Sequence, residues 1–320
     1  MERLVERPAF FYPLSTCYFI LSTCLFPIFT KKNSEYLNRL STHQKGLFAA
    51  FLAGLLWSTG GLFIKLISLT AFQLSFFRSL FSAATFLLLF QSKAIKRNRA
   101  TFINALFYAG ILILFVIATK MTTAANAIFL QYTAPIYVLI LEPILLRTKF
   151  EKINIITIVL AFTGMILFFL GELSPGHLAG NIIALISGLC FAGFLLGMRK
   201  NDHSYQFATI FWGNIFIAVV SLFSVFSIQV LTLSDFTMVA YLGIVQIGLA
   251  YSVFTYSLKR VHAIEASLIT MIEPVLNPVW VFIWYGEKPS TLALIGGAVI
   301  LIGLTIKSVI YENFIKAKVG

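Results

Sequence analysis

Charged residues are scarce in this chain of 320 residues. Asp, Glu, Lys and Arg together make up 11% of the sequence, and only 12 residues are acidic. A soluble globular domain carries about a quarter of its residues as charges. The shortage excludes an ordinary soluble protein, and the 59% share of hydrophobic residues indicates a multi-pass membrane protein.

Cysteine, histidine and the short motifs of enzyme chemistry are also scarce. The three cysteines, Cys17, Cys24 and Cys190, have no paired spacing, so they predict neither a disulfide framework nor a zinc site. The sequence contains no HExxH, no GxSxG and no phosphate-cradling glycine loop, the motifs that would indicate a metalloprotease, a serine hydrolase or a nucleotide site. We therefore expect no enzyme activity, no cofactor and no bound metal.

Apolar runs close to the ~20 residues that a membrane-crossing helix needs fill the chain from Gly46 onward. The ten runs are 46–67, 71–90, 101–119, 122–146, 153–171, 178–198, 205–229, 235–257, 263–285 and 291–311. They predict an all-α integral membrane protein with ten transmembrane helices.

Residues 1–45 are an N-terminal extension whose structure the sequence leaves open. The stretch 9–30 is apolar enough to be an extra hydrophobic segment, but Pro13 and Pro27 argue against one uninterrupted helix. No small-residue cleavage site of a signal peptide follows it. If this stretch spans the membrane, the number of helices becomes eleven.

The net charge of +12 is a signal of membrane topology. Most basic residues fall in loops on one side of the predicted membrane, whereas Lys65, Lys120 and Lys288 fall on the other side. The first group is Lys31, Lys32, Arg39, Lys45, Lys93, Lys96, Arg97, Arg99, Arg147, Lys149, Lys152, Arg199, Lys200, Lys259, Arg260, Lys307, Lys316 and Lys318. By the positive-inside rule that side, with the tail 312–320, is cytoplasmic. We expect a lipid bilayer as partner, and no nucleic acid.

The two halves of the chain repeat each other. Ala127, Pro135, Lys149 and Gly164 correspond at one constant spacing to Ala266, Pro274, Lys288 and Gly303. Gly46, Gly54, Leu55 and Lys65 correspond at a similar spacing to Gly180, Gly188, Leu189 and Arg199. Five segments in 46–171 are thus matched by five in 178–311, and since five is odd, the halves would enter the membrane in opposite directions. Inverted repeats around a midplane site are a known transporter architecture.

Several motifs resemble the EamA-like family of the drug/metabolite transporter superfamily. They are TTAANAIFLQYTAPIYVLI at 122–140, the stretch from Leu258 to Ser267, Glu-Pro-Val at 273–275 and Gly-Glu at 286–287. The resemblance covers about 46–311 and implies ten helices in two inverted repeats, with export or exchange of small metabolites, often amino acids. Arg147-Thr148 stands where a first-half Gly-Glu is expected, and residues 1–45 have no counterpart in the family.

Glu273 and Pro274 are the main site candidates. A carboxylate inside the membrane costs at least ~2.5 kcal/mol and marks a functional site by default. The adjacent proline lacks a backbone donor and breaks the local helix ladder. Thr270, Asn277, Trp280 and Trp284 share the helix face of Glu273 by their spacing. That face lines either a substrate cavity or a helix–helix seam. Glu273 itself is either a fixed charge, paired for example with Arg78, or a group that exchanges a proton.

Further substrate-binding candidates are polar or aromatic residues at membrane depth on other helices: Trp57, Arg78, Gln131, Tyr137 and Gln246. Each has a structural alternative, and Arg78 in particular could instead pin helix ends. Pro135 and Pro274, which correspond in the repeat, are predicted hinges.

The combined prediction is a secondary transporter of small metabolites, with amino-acid efflux or exchange foremost, that works by alternating access around a midplane cavity. The alternative is a non-transporting membrane scaffold or a lipid scramblase. We expect a small-molecule substrate and a location in a bacterial inner (plasma) membrane. Gly193 and Gly197 form a GxxxG motif, which indicates either a homodimer or ordinary packing between helices of one chain.

Overall fold

The computed structural model describes residues 41–146, 159–160, 162–164, 166–167, 170, 178–258, 260–261, 269–270, 272–292, 294–303 and 305–306. Within these residues the secondary structure is helical, without strands. Seven helical spans are long and apolar enough to cross a membrane: Thr42–Leu66, Ala71–Lys93, Arg99–Met121, Ala124–Leu145, Leu178–Met198, Gln206–Val225 and Leu233–Ser257. The prediction of a multi-pass helical membrane protein is confirmed. The predicted segments 153–171, 263–285 and 291–311 lie partly outside the described residues, so ten helices stay a prediction. Residues 1–40 of the extension 1–45 also lie outside the described residues.

The helices carry the following bounds. The first half has α1 (Thr42–Ser58), α2 (Gly60–Leu66), α3 (Ala71–Phe90), α4 (Arg99–Met121), α5 (Ala124–Gln131) and α6 (Ala134–Leu146). The second half has α7 (Leu178–Lys200), α8 (Gln206–Val225), α9 (Leu233–Tyr241), a π-helix (Leu242–Leu249), α10 (Ala250–Leu258) and α11 (Ile272–Tyr285). A shorter apolar helix, Leu294–Gly303, follows.

Hydroxyl and amide side chains set where several helices begin. Ser41 and Thr70 form capping boxes with Gln44 and Gln73 at the starts of α1 and α3. Thr123 accepts a hydrogen bond from the backbone N–H of Asn126 at the start of α5. These caps satisfy backbone donors that have no partner within the helix.

Three of the spans are interrupted near their middle. The first breaks at Thr59 between α1 and α2, and the fourth breaks at Tyr132–Thr133 between α5 and α6. The span that begins with α9 runs through the eight-residue π-helix before α10. Non-helical backbone at membrane depth is tolerated only where protein or a water-filled cavity satisfies it, and π-helical turns are frequent at functional sites. The interruptions therefore indicate where a site lies.

The GxxxG motif packs inside the chain. A Cβ at Gly193 would meet the ring of Phe107, and one at Gly197 would meet the amide of Asn104, and both neighbours belong to α4. The small residues let α7 and α4 approach closely, as such motifs do in membranes. This is the packing alternative for the motif, and a possible homodimer stays an untested prediction.

Cysteine labelling tests the topology that the basic loops predict. Cysteines introduced at 93–99, 147–152 or 199–203 are expected to react only with reagents that reach the cytoplasm, because these loops carry most of the positive charge. Cysteines at 172–177 or 230–235 are expected to react from outside. Cytoplasmic labelling at 172–177 would contradict the inverted repeat as a whole.

Candidate functional site

The carboxylate of Glu273 is held between two helices. The hydroxyl of Tyr132 donates a hydrogen bond to Glu273 Oε2 at 2.7 Å, and both side chains are half-buried. Tyr132 lies at the break between α5 and α6, and Glu273 is the second residue of α11. One hydrogen bond thus joins the interruption of the fourth span to the residue beside Pro274.

Both residues lie near the middle of the membrane-crossing length. α5 begins at Ala124 and α11 ends at Tyr285, and these ends meet through a contact of Glu287 with the backbone of Ala124. At a rise of 1.5 Å per residue, Tyr132 lies about 12 Å and Glu273 about 18 Å along the helices from that end. The hydrocarbon layer is ~30 Å thick, so both groups belong to its central part.

The predicted polar face of α11 is turned toward the interrupted first span. Asn277 is fully buried against Gly61, where a Cβ would overlap its amide. Trp280 Nε1 donates to Ser58 Oγ at 2.9 Å, and the Trp280 and Trp284 rings lie 5.5 Å apart. Thr270 is buried, with its backbone beside Gly54. Glycines at two positions of the first span therefore permit the close approach of this face.

Trp57 and Gln246 join the same region. Gln246, in the π-helix, donates from Nε2 to the carbonyl oxygen of Trp57 at 3.3 Å. The Trp57 ring packs 4.9 Å from Tyr251 and 5.1 Å from Phe254, both in α10. The break at Thr59 and the π-helix are therefore in direct contact.

Four buried polar atoms in this region have no hydrogen-bond partner: Trp57 Nε1, Gln246 Oε1 and both amide atoms of Asn277. Buried polar atoms in native proteins nearly always have partners, so each exception needs a protein, water or ligand explanation. Donors and acceptors close to a carboxylate suit the recognition of a small polar molecule.

Three predicted residues lie apart from this cluster. Gln131 Nε2 donates to Ser187 Oγ at 2.8 Å, and Ser187 Oγ donates to the carbonyl of Ile111 at 3.0 Å; the group ties three helices together. Tyr137 is half-buried and makes no hydrogen bond within the described ranges. Arg78 is buried in α3 and donates to the carbonyl oxygen of Leu112 at 3.3 Å. The pairing of Arg78 with Glu273 that we considered from the sequence does not occur in this structure.

Tyr132, Tyr251 and Ser58 belong to the cluster, although the sequence did not identify them as site residues. Tyr132 stands three positions before Pro135, so a tyrosine next to a predicted helix break was the available signal. Tyr251 and Ser58 are polar residues at membrane depth in the sequence, but their contacts depend on which helices pack together, so their depth alone did not assign them to the cluster.

At one end of the spans, charged contacts tie the two halves of the chain. Lys65 Nζ lies 2.7 Å from Glu287 Oε2 and also donates to the carbonyl of Thr122 at 2.7 Å. The second oxygen of Glu287 accepts the N–H of Ala124. Asp235 accepts hydrogen bonds from the backbone N–H and the hydroxyl of Ser68, at 2.8 and 2.6 Å. We call Lys65, Glu287, Asp235 and Ser68 the outer clamp, since Lys65 lies on the side with few basic residues.

Of the two predicted hinge prolines, Pro135 stands directly after the described break at Tyr132–Thr133, and Pro274 stands near the start of α11. Pro135 is the second residue of α6, and Pro274 is the third residue of α11. In an uninterrupted helix each ring would clash with the carbonyl four residues earlier, and no N–H would be available to it. Pro135 therefore prevents a continuous hydrogen-bond ladder from α5 into α6, and a hinge at Pro274 stays a prediction.

Pro135→Ala and Pro274→Ala are expected to insert and fold normally but to transport roughly tenfold more slowly, since a barrier higher by ~1.4 kcal/mol is enough for that effect. Initial rates in proteoliposomes, normalised to folded protein, measure it. Pro143→Ala is the matched control, because Pro143 lies within α6 toward its far end. Wild-type rates in both hinge variants would show that the prolines have no role in transport.

Comparison with protein families gives a match over most of the chain. The model of the EamA-like transporter family matches residues 44–170 and again residues 178–309. An uncharacterized transporter of Archaeoglobus fulgidus is 26% identical over 267 residues, which cover 82% of this chain and 95% of the relative. The human solute carrier family 35 member G1 is 22% identical over 330 residues, covering 94% of this chain and 88% of the relative.

A solved crystal structure has a similar fold. It superposes with a TM-score of 0.60 and covers 85% of this chain and 99% of that chain, at 17% sequence identity. At this identity the likeness concerns the fold alone.

Proposed function

Because the chain belongs to the EamA-like transporter family, it is a multi-pass membrane transporter, and we propose that it is a secondary transporter of small metabolites. Efflux or exchange of amino acids or related compounds is the proposed activity, in a bacterial inner membrane. The substrate site is the cluster around Glu273 that includes Trp57, Tyr132, Gln246 and Asn277.

The observation that carries this proposal is the Tyr132–Glu273 hydrogen bond of 2.7 Å. It sets a carboxylate beside the helix interruption at Tyr132–Thr133 in the central part of the membrane, next to buried polar atoms that lack partners. Transporters commonly bind substrate at the midplane with discontinuous helices. A passive scaffold has no need of a charge that costs at least ~2.5 kcal/mol in this position.

Alternating access is supported by the outer clamp. In a secondary transporter the two repeats move against each other, so that the site opens to one side at a time. Lys65–Glu287 and Ser68–Asp235 each join one half of the chain to the other on the same side. Contacts of this kind would hold that side closed and would separate when it opens. The double match of the family model, once in each half, supports the division into two repeats at 46–171 and 178–311.

Transport by the purified full-length chain in proteoliposomes tests the proposal. Vesicles loaded with single amino acids or related metabolites are expected to exchange them for the labelled compound outside, faster than protein-free vesicles and with saturation. A fluorescent-lipid assay on the same vesicles tests the scramblase alternative. Movement of lipid without movement of any solute would overturn the transporter proposal in favour of that alternative.

A further inference from the structure

Two loops rich in basic residues meet on the side of the membrane that is predicted to be cytoplasmic. One loop joins α3 to α4, and the other joins α7 to α8. Together the stretches 91–101 and 199–206 contain six basic residues and one acidic residue, Asp202. Five of the basic side chains are exposed, and we call them the basic surface: Lys93, Lys96, Arg97, Arg99 and Lys200. This part of the protein therefore carries a strong excess of positive charge.

Hydrogen bonds fix the two loops to each other. Asn98 Nδ2 donates to Asn201 Oδ1 at 3.1 Å, and Asn201 Nδ2 donates to Thr101 Oγ1 at 3.1 Å. Trp212 Nε1, in α8, donates to the carbonyl oxygen of Lys96 at 3.1 Å. The first loop belongs to the first half of the chain and the second loop to the second half. The basic residues of both halves are therefore held side by side.

Two aromatic residues place the basic surface at the membrane interface. Trp212 and Tyr205 are half-buried, and the Trp212 ring packs 5.2 Å from the ring of Phe102. The ammonium group of Lys96 lies 5.6 Å from the centre of the Tyr205 ring, within the range of a cation–π contact. Tryptophan and tyrosine are enriched at the level of the lipid headgroups. The basic surface therefore lies at headgroup depth.

Exposed apolar side chains adjoin the basic surface on the same helices. The last turn of α3 exposes the leucines 87–89, and Leu88 is 77% exposed. In α4, Ile103 is 50% exposed and lies about 6 Å along the helix from Arg99 at a rise of 1.5 Å per residue. Exposed apolar residues on a membrane-spanning helix face the lipid chains. A surface suited to acyl chains therefore borders one suited to anions.

We propose that the basic surface binds the phosphate group of an anionic phospholipid of the cytoplasmic leaflet, with the acyl chains against the exposed apolar turns of α3 and α4. Lysine and arginine donate charge-assisted hydrogen bonds to phosphate oxygens. Clusters of four or more basic residues directly cytoplasmic of membrane helices are typical of anionic-lipid recognition. This lipid site is separate from the cluster around Glu273, and it does not depend on which solute the chain transports.

The combination of charge and apolar surface favours an anionic phospholipid over other occupants. Inorganic phosphate or an acidic peptide would contact the basic residues but would leave the apolar turns without a specific partner. Phosphatidylcholine has the same phosphate and acyl chains, but its choline group cancels the negative charge. Phosphatidylglycerol keeps a net negative charge next to its acyl chains, so it matches both parts of the surface.

Titration of the detergent-purified full-length protein with single lipids, followed by native mass spectrometry, tests the proposal. The probes are phosphatidylglycerol and phosphatidylcholine with identical acyl chains. The wild-type protein is expected to bind its first phosphatidylglycerol at least roughly tenfold more tightly than its first phosphatidylcholine, because each basic residue near an anionic lipid contributes about fivefold. The variant Lys96→Gln/Arg97→Gln/Lys200→Gln is expected to lose this preference.

Two further variants separate a lipid site from general charge attraction. Arg147→Gln/Lys149→Gln/Lys152→Gln removes the same charge from another loop on the same predicted side and is expected to keep the wild-type preference. Asn201→Ala keeps every charge but removes the two hydrogen bonds that join the loops. Its preference is expected to fall by roughly fivefold, since the basic residues are no longer pre-arranged. Equal losses in the two triple variants would overturn the proposal.

The wild-type protein gives an answer even if the triple variant of the basic surface does not fold. Equal binding of phosphatidylglycerol and phosphatidylcholine would overturn the proposal. Displacement of bound phosphatidylglycerol by inorganic phosphate or by polyglutamate at the same concentration would also overturn it, and would assign the basic surface to a soluble anion or to an acidic partner. Solute exchange in proteoliposomes is measured separately, so these outcomes leave the proposed transporter function intact.

Discussion

Replacing Glu273 with glutamine is expected to weaken substrate binding by roughly 10- to 100-fold, because a hydrogen bond or ion pair to a charged group is worth about 1.5–3 kcal/mol. Glutamine keeps the size of the side chain and can still accept the hydrogen bond that Tyr132 donates at 2.7 Å. The substitution therefore removes the charge and leaves the local packing in place. The concentration dependence of exchange in proteoliposomes measures the loss.

Tyr132→Phe and Glu142→Gln are the two variants to compare with Glu273→Gln. Tyr132→Phe removes the hydroxyl but leaves the carboxylate, and a smaller loss is expected, of about fivefold, corresponding to ~1 kcal/mol for one hydrogen bond. Glu142→Gln makes the same chemical change on α6, away from the cluster, and is expected to transport like wild type.

The same assays distinguish the two roles open to Glu273. A binding role predicts that Glu273→Gln loses affinity both in exchange and in gradient-driven transport. A proton-exchanging role predicts that the variant loses accumulation driven by a proton gradient but keeps exchange. Folded Glu273→Gln protein with wild-type transport and unchanged pH dependence would remove Glu273 from the site.

The membrane fold could be predicted from composition and periodicity, because the bilayer imposes its thickness directly on the length of each apolar run. The predicted segment 46–67 corresponds to the span Thr42–Leu66, and 71–90 corresponds to α3 at the same residues. The break at Thr59 within the first span was not predicted. The Ser-Thr-Gly-Gly stretch there lacks proline, and its two glycines lie against Gln246 and Asn277, which are distant in the sequence.

Part of the candidate site could also be predicted, because one helix face follows from 3.6-residue periodicity. Asn277 and Trp280 of α11 both turn toward the first span, as their shared spacing with Glu273 indicates. The residues that pack against that face of α11 could not be predicted from the sequence. Ser58 and Gln246 come from distant parts of the chain, and which helices pack together is set by tertiary packing that one sequence does not reveal.

It was hardest to predict which of several polar residues on one helix contacts the site. Gln131 and Tyr137 were predicted to bind substrate, whereas Tyr132, next to Gln131, is the residue that contacts Glu273. The break at Tyr132–Thr133 shifts the direction of every later side chain relative to a continuous helix. A spacing argument across an interruption therefore fails, even where the interruption itself is predicted from Pro135.

Locking the outer clamp is expected to stop transport almost completely. Lys65 and Glu287 belong to opposite halves of the chain, and their side chains are only 12% and 16% exposed. The ion pair is reinforced by the 2.7 Å hydrogen bond of Lys65 to Thr122 and by the contact of Glu287 with Ala124. If the halves separate here in each cycle, a covalent link between these two positions prevents the outward opening.

Removing the Lys65–Glu287 ion pair is expected to favour opening of the outer side, whereas the covalent link prevents it. Lys65→Met and Glu287→Gln weaken the closed outer side, so they are expected to shift the protein toward the outward-open state and to slow its return. An equilibrium between two states shifts only by the free energy that distinguishes them, and a half-buried ion pair of this kind is worth on the order of 1–3 kcal/mol.

The most direct test of alternating access is exchange by a Lys65→Cys/Glu287→Cys protein joined with a cleavable bifunctional thiol reagent. The background is a functional variant in which Cys17, Cys24 and Cys190 are replaced, and the two single-cysteine proteins serve as controls. We expect cross-linking to reduce exchange in proteoliposomes to the level of protein-free vesicles, and reductive cleavage to restore it, while the single-cysteine proteins remain active throughout. Undiminished exchange by the fully cross-linked protein would contradict alternating access through the outer clamp.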